Sequence, residues 1–379
     1  SIGYQENAGL SAFSSVVTFL CYLLCLESGQ RPGRLLIRRT QAKIAPFQTK
    51  SVSFAIPLTA SWCCERGAPN SRLGRSLLWC CTAFGWRRNQ IEISFNLPPG
   101  PQTINLAGVL PDISDSVTIV NTTGANNLTV RRNTGGDYRI FNIPSAGLNV
   151  VIIGMTISNG KTVSGDFGGG IQSNSALTLT NCGLVNNEAV GTVNGGGVHL
   201  AFANGAFTGC TFSGNTSGSG GGGISFLGNN GGQTLQVTNS TISGNTANGS
   251  GAGGGILNAS LGGSNTMVVV NSTIANNVGA LNGGILTITS GAGTAETTTL
   301  RNSIIANNTT PNLLTIMQSG GGPATVTSLG NNLASDGGGG FLTGTVLGRL
   351  LTTVAMSALQ AALAPKPRQP GIKTEGTLS

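Results

Sequence analysis

The stretch Thr211-Phe212-Ser213-Gly214-Asn215-Thr216-Ser217-Gly218-Ser219-Gly220-Gly221-Gly222-Gly223-Ile224 sets the fold of this 379-residue chain. Phe212 is followed three positions later by Asn215, and a run of glycines then leads into aliphatic Ile224. The same phrase returns along the chain. Segments 154–157, 181–184, 209–212, 239–242, 271–274 and 302–305 end on apolar residues spaced 27, 28, 30, 32 and 31 apart. Two positions before each segment stands a large apolar residue: Ile152, Leu179, Phe207, Val237, Val269 and Leu300. Three positions after all but the first come Asn187, Asn215, Asn245, Asn277 and Asn308. The first segment has Gly160 there, with Asn159 one place earlier. The glycine runs lead in turn to Ile171, Val198, Ile224, Ile256 and Ile285.

Self-similarity at a period of about 20–50 residues marks a solenoid. Ahead of the explicit repeats, short alternating runs at 103–106, 117–121, 128–131, 139–143 and 148–153 read as strands bounded by Gly, Asn, Pro or Asp. No helical periodicity accompanies them, which selects a parallel β-helix over helical solenoids. One coil cannot bury its few apolar side chains. Coils stacked about 4.8 Å apart create continuous inward columns and parallel ladders. Glycine turns the chain where φ is positive or backbones crowd. Asparagine recurring at one corner predicts an amide ladder, each side chain bonding its neighbours above and below. Ordinary turn propensity is the competing account. The register predicts one continuous solenoid over 102–345, with Leu179, Phe207, Val237, Val269 and Leu300 stacked inward.

Composition narrows the functions open to such a body. The chain has 60 glycines, 8% charged and 5% aromatic residues, and no run of 18 apolar residues, so no integral membrane span is expected. The net charge of +8 belongs to the ends. Residues 1–90 hold eleven Lys and Arg against three Glu, and 347–379 hold four basic groups against one Glu. Residues 91–346 hold five basic and eight acidic groups, so a nucleic-acid partner, which needs a basic folded face, is excluded. Six of eight cysteines also fall in 1–90, without zinc spacing, and the single histidine is His199. Neither a metal nor a cofactor is predicted.

Three segments follow: 1–90, a β-helix domain at 91–346, and 347–379. The first lacks periodicity. Its apolar stretch 12–26 has the length of a signal-peptide core but no basic residue precedes it. It is either a degenerate export leader or foreign to the domain, and poor order is expected there. The last segment predicts a short helix over 350–364, ending at Pro365, and a disordered tail.

The pairing of Gly-Gly-X-[Ile/Val] with [Phe/Ile]-x-x-Asn, carried best by Gly221 to Ile224 and Phe212 to Asn215, resembles the repeats of polymorphic outer-membrane proteins and related bacterial β-helix proteins. The approach through Arg139-Ile140-Phe141-Asn142-Ile143 to Ile157-Ser158-Asn159-Gly160 is similar to large secreted proteins of this kind. The resemblance spans about 91–346. It implies a right-handed coil and an extracellular or cell-surface setting, and it is specific for fold rather than activity. The chain departs from the family after Leu347, where no outer-membrane barrel is expected from the residues that follow.

The same fold hosts polysaccharide lyases and hydrolases, so catalysis needs its own test. Between 148 and 346 the acidic residues are Asp166, Glu188, Glu296 and Asp336, and the basic ones Lys161 and Arg301. No coil there contributes two carboxylates, so the pair about 5–10 Å apart that glycosidases use is not expected. No catalytic residue is assigned. His199 follows inward Val198 and is expected to point outward into solvent. Cys182 and Cys210 share a column, where parallel Cβ vectors suit a disulfide poorly and buried thiols are favoured. Lys161 and Glu188 each lie four residues past the equivalent Ile157 and Leu184, which predicts a surface ion pair.

One feature changes in a single direction. From the glycine-run aliphatic residue to the next core position the distance is 8, 9, 13, 13 and 15 residues. Insertions in a solenoid collect on one face, often the binding face; neutral drift in loop length gives the same trend. The inserted residues are polar and uncharged, and Asn204, Asn229, Asn230, Gln233, Asn258 and Asn265 are the candidate ligand-binding residues. The expected partner is a carbohydrate or another cell-surface ligand. The function predicted is a non-catalytic secreted or surface β-helix, adhesin-like or structural. A carbohydrate-active enzyme is the first alternative. An ice-binding protein is the second, since Thr156, Thr211, Thr241 and Thr273 share an outward column that Gly183 and Ile304 interrupt.

Overall fold

Short alternating strands, each with one apolar and one polar side, bury their apolar side only by stacking. The chain does this as an all-β parallel solenoid of about eight coils. The computed structural model describes residues 51–53 and 91–340, apart from 98, 230, 250–252, 292, 310, 319 and 337–339. The helix expected over 350–364, the boundary at 346 and most of 1–90 lie outside the described residues.

Three sheets run along the stack, and one narrow ladder joins four of its coils. The first sheet has nine parallel strands, from Ile91–Asn96 to Ala324–Ser328, and a tenth, Ser51–Ser53, that pairs antiparallel at its edge. The second has nine, from Gln102–Leu106 to Leu333–Ala334, and the third has seven, from Phe141–Ile143 to Leu313–Met317. Four two-residue strands, Glu188–Ala189 to Val278–Gly279, form a ladder between the second and third sheets.

The register agrees with the sequence. Leu179 pairs with Ile152 and Phe207, Phe207 with Val237, Val237 with Val269, and Val269 with Leu300. All are fully buried in one core that runs from Ile93 to Val326. At about 1.5–3 kcal/mol per large side chain, this column is a main source of stability. On the outer side of the third sheet, Leu257, Ala259 and Leu286 form a separate apolar cluster.

Two side-chain ladders hold the corners. Asn187, Asn215, Asn245 and Asn277 each donate Nδ2 to Oδ1 of the next coil's asparagine at 2.9–3.0 Å. Each also donates Nδ2 to a carbonyl one coil back, as Asn245 does to Phe212 at 3.0 Å. Gly160 keeps the first coil in register without the amide, because its N–H donates to Asn187 Oδ1 at 2.9 Å. The displaced Asn159 sits at φ 58°, in the left-handed region that short polar side chains tolerate. Asn181, Asn239, Asn271 and Asn302 turn another corner at φ 49–51°.

The second ladder runs through hydroxyls. The backbone N–H of Cys210, Ser240 and Ser272 donates to the side-chain oxygen of Ser240, Ser272 and Ser303 at 3.1–3.2 Å. Cys182 and Cys210 precede these serines in the same line, buried and free as expected. The hydrogen bond with Cys182, together with burial, pushes the Cys210 thiol up. Repetition of a small polar group that returns its proton to a nearby carbonyl makes this line tolerable inside the stack. Ser240 and Ser272 do so at 2.8 Å, to Thr238 and Val270.

Candidate functional site

The corner between the third and first sheets receives the inserted residues. Asn204 is exposed there, and its Oδ1 accepts from the Thr234 N–H at 2.8 Å. Asn229 and Gln233 are half-buried, and Asn230 lies outside the described residues. Asn258 and Asn265 do not belong to this surface: both are buried inside the solenoid. The longer spacing lengthens strands as well as loops. Ile171–Ser173 has three residues where Ile256–Ser260 has five, and Gly205–Thr208 has four where Asn265–Val270 has six. Positions taken for loop thus become strand, and the pleat turns every second one inward.

Phe202 opens the same corner, and sequence reasoning missed it. Its side chain is 45% exposed and its φ is 59°, a conformation that costs a bulky residue roughly 1–2 kcal/mol. Leu261, two coils on, is exposed as well. The signal was present in Phe202-Ala203-Asn204-Gly205, an aromatic residue two places before the Asn-Gly pair of a turn. An exposed ring beside amide groups offers an apolar face together with hydrogen-bonding groups, the pairing that sugar rings accept.

Charge collects at a different corner. Lys161 and Glu188 are parallel bridge partners, and Lys161 Nζ lies 3.5 Å from Glu188 Oε2. The same Nζ lies 3.8 Å from Asp137 Oδ2, and Arg132 reaches Asp137 at 3.5 Å. Two carboxylates therefore share one ammonium, which the coil-by-coil count missed because Asp137 lies before its starting point. Arg139 pairs with Asp166 at 3.4 Å. Asp336 Oδ2 accepts from the Asn312 N–H at 2.7 Å, and Glu296 is buried in the interior.

His199 points outward but is not solvated, contrary to expectation. It is 2% exposed, with its ring stacked on Phe167 at a centroid distance of 4.6 Å. The loop preceding Ile171–Ser173 brings that ring across the sheet, a contact between neighbouring coils that local sequence does not encode. Burial, assisted by Arg139, pushes the imidazole down to about 3. His199 Nδ1 lies 3.1 Å from Ser225 Oγ, which is itself buried. A neutral imidazole held so far below the working pH is a poor general base.

The outward threonines align as predicted. Thr156 pairs with Gly183, Gly183 with Thr211, Thr211 with Thr241, Thr241 with Thr273, and Thr273 with Ile304. Gly183 and Ile304 break the array. Among the described residues no group of three or more His, Cys, Asp or Glu is placed to hold a metal ion, and no helix is long and apolar enough to cross a membrane.

Comparisons with known protein families, curated proteins and solved structures gave no match. The class that the fold and its repeat define is the parallel β-helix repeat protein.

Proposed function

We propose that this β-helix is a non-catalytic, secreted or cell-surface module of the polymorphic outer-membrane-protein repeat kind, adhesin-like in role. It holds carbohydrate along the corner between its third and first sheets. The observation that carries this reading is Phe202, an exposed ring kept in a strained backbone beside exposed Asn204. Strain retained at a surface position points to use of that position. The neighbouring polar loops carry no charge, which suits a neutral glycan. Five acidic groups support the non-catalytic reading: Asp137, Asp166 and Glu188 are ion-paired, Asp336 accepts from the Asn312 N–H, and Glu296 is buried in the interior.

The test is retention on immobilised neutral glycans by the full chain and by Phe202→Gly. Glycine accepts the positive φ and relieves strain of about 1–2 kcal/mol, against roughly 0.5–1 kcal/mol of added chain entropy. The variant should therefore stay folded and lose retention. Equal retention by both proteins would refute the site. A polysaccharide-cleaving enzyme is the second reading, favoured by the Asp137 and Glu188 carboxylates that meet at Lys161. New reducing or unsaturated ends that vanish in Glu188→Gln would establish it.

A further inference from the structure

Inside the solenoid, where Ile256–Ser260 and Asn265–Val270 approach Glu296–Arg301, the core changes from apolar to polar. Glu296 is fully buried and forms no ion pair among the described residues. Its Oε1 accepts from the Asn265 N–H at 3.2 Å, while Oε2 has no hydrogen-bond partner. Ser260 and Asn265 both border the carboxylate. Ser260 Oγ, whose one proton is directed at the carboxylate, and Asn265 Oδ1 are both buried without a further partner.

The amide orientations are fixed by what the nitrogens do. Asn265 Nδ2 donates to the Ala259 carbonyl at 3.2 Å, which leaves Oδ1 as its free end. In the adjacent layer Asn258 Nδ2 donates to Thr298 Oγ1 at 3.2 Å, and its Oδ1 is also unpartnered. Gly228 shows that Asn265 has a made place. A Cβ at 228 would collide with the Asn265 amide, so the amide occupies the volume a side chain one coil back would fill.

The orphaned atoms of this cluster are all oxygens. Three can only accept and the fourth is a hydroxyl with one proton to give, so the cluster is short of positive charge or donors. Leaving a carboxylate buried and uncompensated is strongly unfavourable. We propose that Glu296, Asn265 and Ser260 form an internal site for a monovalent alkali cation, sodium in the first instance. Carboxylate, amide and hydroxyl oxygens are ligands for hard cations. The charge is decided by the single carboxylate: a monovalent ion leaves the core neutral, whereas a divalent ion buries an uncompensated charge.

A proton is the competing neutraliser, since burial pushes Glu296 up to about 7. Cation and proton therefore exclude each other, and this makes the site testable. Thermal unfolding of the full chain is measured at pH 8.5 in sodium chloride and in choline chloride at equal ionic strength. Sodium should raise Tm saturably, by about 4 °C at ten times its dissociation constant. The rise should vanish at pH 5.5 and in Glu296→Gln. If Glu296→Gln fails to fold, Ser260→Ala serves instead, with the sodium midpoint moved about tenfold higher. Equal Tm in sodium and choline at pH 8.5 overturns the site. So does a sodium effect that persists in Glu296→Gln or is unmoved by Ser260→Ala, and a rise with calcium alone overturns the monovalent assignment.

Discussion

Up to the strand Ile224–Gly228, the inward column of the third sheet carries Ile143, one serine at Ser173, Leu200 and Phe226, and across the interior Phe207 meets Phe212 with ring centroids 5.7 Å apart. From Ile256–Ser260 onward the same column carries Asn258 and Thr287, faced by Glu296 and Thr298. The backbone ladder does not change between the two halves. One coil geometry thus accepts either filling, because parallel backbone hydrogen bonds are made whatever the side chains are. The energy differs. A large apolar side chain contributes about 1.5–3 kcal/mol by burial, whereas a buried hydrogen bond nets about 0.5–1.5 kcal/mol. Unpaired buried oxygens occur in both halves, but only in the polar one do they gather, around Glu296. In a solenoid each coil answers mainly to its neighbours, so the later coils should open first in hydrogen exchange.

The largest expected effect lies in the apolar half. Phe226→Ala should cost about 3–5 kcal/mol in urea unfolding, and a cost under about 1 kcal/mol would erase the contrast. Asn245→Ala tests the ladder that both halves share. It strands the Phe212 carbonyl and the Asn215 backbone N–H, each worth about 1–3 kcal/mol, so a loss of about 3 kcal/mol is expected.

The polar half should carry a pH dependence that the apolar half lacks. Glu296 is raised from 4.5 to about 7, so the folded chain holds its proton more tightly than the unfolded chain. Its contribution is fully present below about 4.5 and is lost as pH rises towards about 7, on the order of 3 kcal/mol in choline buffer. Glu296→Gln should flatten that profile. Smallest is Lys161→Ala at the ionic corner, where the side chains are 33% and 46% exposed. Expected is a loss of about 0–1 kcal/mol that shrinks further in salt.

The apolar half was the more legible in sequence. Leu179, Phe207 and Val237 recur at fixed offsets from glycine and asparagine, and counting four residues past Ile157 and Leu184 placed Lys161 against Glu188. Asn258 and Asn265 were misplaced because a polar residue in a longer interval reads as loop, while the pleat had already turned both inward. The burial of His199 depends on Phe167, on a loop in the preceding coil, and no local pattern announces that ring. Phe202 was visible in the sequence, but its exposure and positive φ needed coordinates.

The amide ladder, finally, has a direction and a last rung. An asparagine both gives and takes, so a line of them could in principle be lengthened by another molecule docking end to end. After Asn308 the line bends to Asn312, whose N–H meets the Asp336 carboxylate at 2.7 Å. The Asn312 amide itself donates to Ser335 Oγ at 3.1 Å, so the line of amides passes to a hydroxyl there. The ladder thus has one sense along the stack, each amide giving its proton towards the later coil from Asn187 to Ser335.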